Sequence, residues 1–84
     1  MTFPQYRKSL NGKHFYKIIS EIEFEEIQLI GGKYLFMKTV AEIYPDKMRI
    51  QDMLHSDTGL FQVITDREFV ETLNYCQKNK TLIA

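Results

Sequence analysis

The densest group of potential metal ligands in the sequence is Asp52, His55 and Asp57. A helix would bring Asp52 and His55 onto one face, because residues at i and i+3 are neighbours there. A metal site needs a third and a fourth ligand, and the sequence names none at a recognisable spacing. We therefore interpret the group as an exposed helix end, with His55 near the negative end of the helix dipole, and predict no bound metal.

Cys76 is the only cysteine, so the chain has no internal disulfide, and it is also the only candidate thiol nucleophile. It could act as one if His14 or His55 lay beside it as a base. However, Phe69, Leu73 and Cys76 follow each other at helical spacing, and free cysteine is among the most buried residue types. We predict a buried structural thiol. The sequence also shows no phosphate-binding glycine loop and no nucleophile elbow, so we predict no catalytic residue, no cofactor and no enzymatic activity.

Cations and aromatic rings alternate in the N-terminal part of the chain. Cations attract phosphates, and exposed rings on a sheet can stack unpaired bases, so these residues predict one possible function, the binding of single-stranded nucleic acid. They could also form a surface for a protein partner. The acidic run at 21–26 that follows would repel a phosphate backbone. The residues of this candidate surface are Tyr6, Arg7, Lys8, Lys13, His14, Tyr16 and Lys17.

The composition indicates one small globular domain over residues 1–84. Hydrophobic residues make up 44% of the chain, which is enough for a core, and eleven basic residues balance eleven acidic ones. Zero net charge disfavours a strongly basic nucleic-acid binder. The first residues contain no apolar signal region, and no apolar run is long enough to cross a membrane. With a single cysteine, these features favour the cytoplasm and no membrane partner.

The N-terminal half predicts antiparallel strands. Asn11-Gly12 predicts a type I′ turn between strands 5–10 and 13–19. The next segment is ambiguous, because Ser20 and Glu23 form a capping box that is typical of a helix start. As a strand, the same segment folds back across Gly31-Gly32 onto 33–44. We favour one helical turn at Ser20–Phe24 followed by this hairpin. The hairpin would pair Leu29 with Tyr34, Ile27 with Phe36 and Glu25 with Lys38.

The C-terminal half predicts two helices around a short strand. Pro45 ends the long strand and Asp46 caps a helix at 46–55. A strand at 60–64 precedes a helix at 66–78, which begins with the capping box of Thr65 and Glu68. Thr81–Ala84 is expected to fray. The predicted fold is α+β, with both helices packed on one face of a mostly antiparallel sheet of about five strands, at 5–10, 13–19, 25–30, 33–44 and 60–64.

Two short helices cover little of such a sheet. We therefore expect part of the sheet to stay exposed and to bind a partner. An edge strand with unfilled hydrogen bonds is a natural place for a partner strand or a second copy. We expect a small non-enzymatic intracellular module for protein interaction or regulation, acting on a protein partner or as a homodimer. The predicted self-association surface consists of Tyr34, Phe36, Val40 and Tyr44.

Overall fold

A six-stranded, mostly antiparallel sheet with two helices forms the part of the chain that the computed structural model describes, residues 2–55 and 59–83. The elements in chain order are β1 (Gln5–Ser9), β2 (His14–Ser20), β3 (Glu23–Ile30), β4 (Lys33–Val40), α1 (Tyr44–Leu54), β5 (Phe61–Val63), α2 (Asp66–Asn79) and β6 (Thr81–Leu82). The strand order in the sheet is β5-β1-β2-β3-β4-β6. The predicted α+β class is confirmed, with six strands instead of five.

The two outer strands come from the C-terminal half and flank the β1–β4 meander. β5 pairs antiparallel with β1, β6 pairs parallel with β4, and α2 connects them. The predicted fraying after residue 80 is wrong for 81–83, because Thr81 N–H donates to the Gly32 carbonyl at 3.3 Å and Ile83 N–H to the Tyr34 carbonyl at 2.7 Å. Ala84 lies outside the described residues.

The hairpin of β3 and β4 has the predicted register. Gly31 has a φ of 60°, a conformation that residues with a Cβ adopt rarely and glycine adopts freely. The three predicted pairs are all present: Leu29 with Tyr34, Ile27 with Phe36 and Glu25 with Lys38. The turn and the alternation of apolar side chains therefore both determine the register, since a shift by one residue would turn every side chain to the opposite face.

The predicted helical turn at Ser20–Phe24 is wrong, because β2 continues to Ser20 and β3 begins at Glu23. Ser20 Oγ does not cap a helix but accepts from Ile22 N–H at 3.2 Å, closing a local turn. Phe24 gives the physical reason. It lies opposite Ile18 in the sheet, and both side chains are fully buried, so the strand conformation gains apolar burial that one exposed helical turn could not match.

The first hairpin is confirmed, but its turn type is wrong. A type I′ turn needs two residues with positive φ, and among the described residues of this turn only Gly12 has one, at 72°. Gly12 N–H donates to the Ser9 carbonyl at 2.9 Å. The side chain of Asn11 instead accepts from Lys13 N–H at 2.9 Å, which stabilises the loop without a strained backbone at Asn11.

The two helices lie on opposite faces of the sheet, so the prediction that both pack on one face is wrong. Phe15 and Tyr16 are neighbours in β2 and therefore point to opposite faces. Tyr16 belongs to the cluster that α1 covers: Tyr16, Ile18, Phe24, Ala41, Ile50, Met53 and Leu54. Phe15 belongs to the cluster that α2 covers: Phe15, Ile27, Tyr34, Ile64, Phe69 and Cys76. We call the two sides of the sheet the α1 face and the α2 face.

The starts of the helices differ in how they are capped. Thr65 Oγ1 accepts from Glu68 N–H at 3.1 Å, which confirms the predicted cap of α2. α1 begins at Tyr44 instead of 46, its N-cap residue Ile43 makes no side-chain capping bond, and Asp46 lies within the first turn. β4 accordingly ends at Val40, four residues before the predicted end at Tyr44. Among the described residues, neither helix is long and apolar enough to span a membrane.

The burial of Cys76 generates a test of the α2 packing. The side chain is fully buried, and burial raises the pKa of its thiol, so little thiolate is present near neutral pH. We expect a maleimide or disulfide reagent to label the native protein slowly and to label it rapidly once denaturant unfolds it. Because the chain has no other cysteine, the labelling rate reports this site alone. Rapid labelling of the native protein would contradict the packing.

Candidate functional site

The sheet divides the predicted basic and aromatic surface between its two faces. Arg7, His14 and Tyr16 lie on the α1 face, as their pairing in the sheet requires. Arg7 is buried and its Nε donates to the Met53 carbonyl at 2.8 Å, beneath α1. Tyr16 is buried as well. These side chains hold the helix on the sheet and present little surface to a ligand.

The remaining members of that set lie on the α2 face or in a turn. Tyr6 packs against Phe69 of α2, with ring centroids 5.7 Å apart. Lys8 Nζ pairs with Glu68 of α2 at 3.0 Å. Lys17 shares this face, while Lys13 is exposed in the first hairpin turn. The structure therefore does not bring the seven predicted residues together on one surface.

A buried carboxylate forms the main polar cluster of the α1 face. Glu26 is 1% exposed and lies opposite Tyr16 in the sheet. His14 Nδ1 lies 2.8 Å from its Oε2, and Arg49 Nη2 donates to its Oε1 at 3.2 Å. Both carboxylate oxygens thus have a partner, which is what a buried carboxylate requires. We call His14, Glu26 and Arg49 the Glu26 cluster.

Aromatic rings complete the surroundings of the Glu26 cluster. The guanidinium carbon of Arg49 lies 5.8 Å from the ring centre of Tyr16 and 5.5 Å from that of Phe24. Arg49 also donates to the Tyr16 hydroxyl at 3.5 Å, and burial raises the pKa of Tyr16. Arg49 is a residue of α1, so these contacts attach the helix to the central strands.

The Glu26 cluster contains one element of acid–base catalysis, a carboxylate that orients a histidine. A reaction would also require a nucleophile, a metal or a cavity for substrate. Within residues 2–55 and 59–83 there is no pocket and no group of three or more His, Cys, Asp or Glu side chains that could hold a metal ion. Of the metal-ligand group considered from the sequence, Asp52 and His55 are exposed and Asp57 lies outside the described residues. The contacts of the Glu26 cluster support a structural role.

The predicted self-association surface is only half exposed. Tyr34 is 5% exposed and Phe36 is partly buried, because both pack into the cluster under α2. Val40 is 54% exposed and Tyr44 is 73% exposed, and Tyr44 lies in the first turn of α1 instead of on the strand. Of the four residues, only Val40 and Tyr44 present large apolar surface.

Exposed apolar residues gather where β4 ends and α1 begins. Ala41 N–H donates to the Ile22 carbonyl at 2.6 Å, which holds the β2–β3 turn beside this connection. Tyr44 and Met48 are one helical turn apart and share a face of α1. We call this group the end patch: Ile22, Val40, Ile43, Tyr44 and Met48, all of them exposed.

The outer edge of β4 is open beyond its first residues. The N–H of Ala41 points to β3, and the carbonyl of Tyr34 points the other way, to Ile83. Because strand residues alternate in the direction of their backbone groups, those of Phe36, Lys38 and Val40 point away from β3. The pairing with β6 includes only Lys33 and Tyr34. These three residues therefore have no partner strand on that side among the described residues, and we call this stretch the open edge.

The contacts of the Glu26 cluster predict that replacing Glu26 lowers stability more than replacing its neighbour Glu25. Glu26→Gln should lower the free energy of unfolding by about 1–3 kcal/mol, because a neutral amide replaces the buried carboxylate that contacts both His14 and Arg49. Glu25→Gln is the matched control, since Glu25 points to the other face and its ion-pair partner among the described residues is the exposed Lys38, at 3.6 Å. It should cost less than about 1 kcal/mol. Equal effects in urea denaturation would contradict the role assigned to Glu26.

Comparison of the chain with models of protein families, with curated proteins and with solved structures found no match.

Proposed function

We propose that this protein is a small non-enzymatic interaction module that binds an extended segment of a partner protein along the open edge of β4. The observation that carries the proposal is the early end of the β6 pairing at Tyr34. The N–H and C=O groups of Phe36, Lys38 and Val40 are left ready for another strand. Addition of a strand to such an edge is a general mode of peptide recognition, in which main-chain hydrogen bonds supply affinity.

The end patch supports the same proposal. The open edge leads directly to it, because Val40 is the last residue of β4 and a member of the patch. A strand that pairs with Lys38 and Val40 could therefore continue over Ile43 and Tyr44, which are exposed in the free protein. Covering apolar surface contributes roughly 25 cal/mol per Å², less the cost of ordering the partner. Backbone pairing and apolar contact would then act on the same segment.

The alternative function, binding of single-stranded nucleic acid, has less support from the positions of the side chains. Stacking needs exposed rings beside cations. Tyr16 is buried beneath α1 and Tyr6 packs against Phe69 beneath α2. Among the cations of this surface, Arg7 is buried beneath α1, Lys8 pairs with Glu68 of α2, and Lys13 lies in the first hairpin turn. They therefore do not lie beside exposed rings of the same set.

The proposal predicts an alternating pattern along β4 in amide hydrogen exchange. The N–H groups of Leu35, Met37 and Thr39 point to β3 and should exchange slowly. Those of Lys38 and Val40 should exchange rapidly. A short synthetic peptide with a Val-Thr-Glu-Thr-Val core should then protect the outward-facing amides and shift their NMR signals. Protection of β5 amides instead would place the binding edge on the opposite side of the sheet and contradict the proposal.

The variant Lys38→Pro provides the blocking control. Proline removes an outward-facing N–H that the β3–β4 pairing does not use, and proline is tolerated at sheet edges for this reason. The variant should keep the native amide spectrum of β1 and β2 but lose binding of the peptide. Unchanged affinity in a folded Lys38→Pro variant would show that the peptide does not pair with the open edge.

A further inference from the structure

Opposite charges alternate across the α2 face and end at the open edge. Lys17 of β2 lies opposite Glu25 of β3, which lies opposite Lys38 of β4. Glu25 Oε2 is 3.6 Å from Lys38 Nζ, and the side chain of Lys38 remains 67% exposed. The row is therefore positive, negative, positive, and its last member lies on β4, the strand beside which another strand would add.

We infer that the partner segment carries an acidic residue opposite Lys38, with an apolar residue two positions away on each side. This inference rests on the proposed strand addition at the open edge. An acid at that position would extend the alternating row by one more favourable cross-strand pair. Phe36 and Val40 lie two residues from Lys38 on the same face, and they provide apolar neighbours for the flanking positions.

β4 of a second copy does not supply the acid that Lys38 selects. It has the sequence Lys-Tyr-Leu-Phe-Met-Lys-Thr-Val and contains no acidic residue. Two β4 strands paired within Lys33–Val40 would therefore place no carboxylate opposite Lys38. An antiparallel pairing centred on Lys38 would bring the two lysines together. Lysine on an edge strand is a common device against self-pairing, so Lys38 both discourages a second copy and favours an acidic partner.

Three peptides with the cores Val-Thr-Glu-Thr-Val, Val-Thr-Gln-Thr-Val and Val-Thr-Lys-Thr-Val test the inference by NMR titration. The Glu peptide should bind Lys38-containing protein about fivefold to tenfold more tightly than the Lys peptide, with the Gln peptide between them. Lys38→Glu should reverse this order. The difference should shrink at high salt, because both charges are exposed to solvent.

Lys33→Glu is the matched control, since it makes the same change in net charge on the same strand. Lys33 pairs with Thr81 of β6 and lies away from the open edge, so this variant should retain the preference for the Glu peptide. Equal affinity for all three peptides, with shifts at the outward amides, would overturn the acidic partner and leave strand addition intact. Shifts at no outward amide with any peptide would overturn strand addition itself.

Sedimentation of the free protein tests whether a second copy of the chain binds to the open edge. A monomer over a wide range of concentration agrees with the exclusion of a second copy by Lys38. A dimer that Lys38→Pro abolishes would overturn the inference, because it would show that a second copy, and not an acidic partner segment, occupies the open edge.

Discussion

The central strands β2 and β3 bury side chains on both of their faces, and the remaining elements are arranged around that constraint. Phe15 and Tyr16 are consecutive and both buried, so neither face of β2 can be left to solvent. The described part of the chain has two helices, and each covers one face. Neither face is completely covered as a result, which leaves the end patch exposed beside the end of β4.

Features of the fold that depend on neighbouring residues could be predicted from the sequence. The β3–β4 register follows from a glycine turn between two alternating segments, and the α2 cap follows from the threonine of the predicted capping box, whose glutamate side chain pairs with Lys8 instead. The turn at Ser20 could not be predicted in this way, because the same hydroxyl can cap a helix or close a turn. The burial of Phe24 against Ile18 decided between them, and that contact exists only in the folded sheet.

The candidate sites depend even more on contacts that exist only in the folded protein. Glu26 and Arg49 are far apart in the sequence, and they form an ion pair because α1 packs over the sheet. One signal was present, since Glu26 follows Phe24 at strand spacing and must share its face. The acidic run at 21–26 obscured it, because such runs are usually solvated. The basic and aromatic surface failed to assemble for a related reason. Neighbouring strand residues point to opposite faces, so the seven residues are divided between the two faces, and the helices cover the rings on each face.

The open edge presents two physical demands that oppose each other. Unpaired backbone groups beside exposed apolar side chains favour addition of any strand, including strands of other copies, and this is a hazard for a small sheet protein. A longer β6 would remove the hazard but would also cover the edge that we propose for binding. In the proposed mode of binding, a single lysine at the centre of the edge meets both demands, because its charge would oppose a second β4 and would pair with a carboxylate of the partner. Glu25 forms an ion pair with Lys38 within the sheet, so placing a lysine at the edge costs little stability. The side chain of Lys38 is still 67% exposed and could therefore contact a second carboxylate.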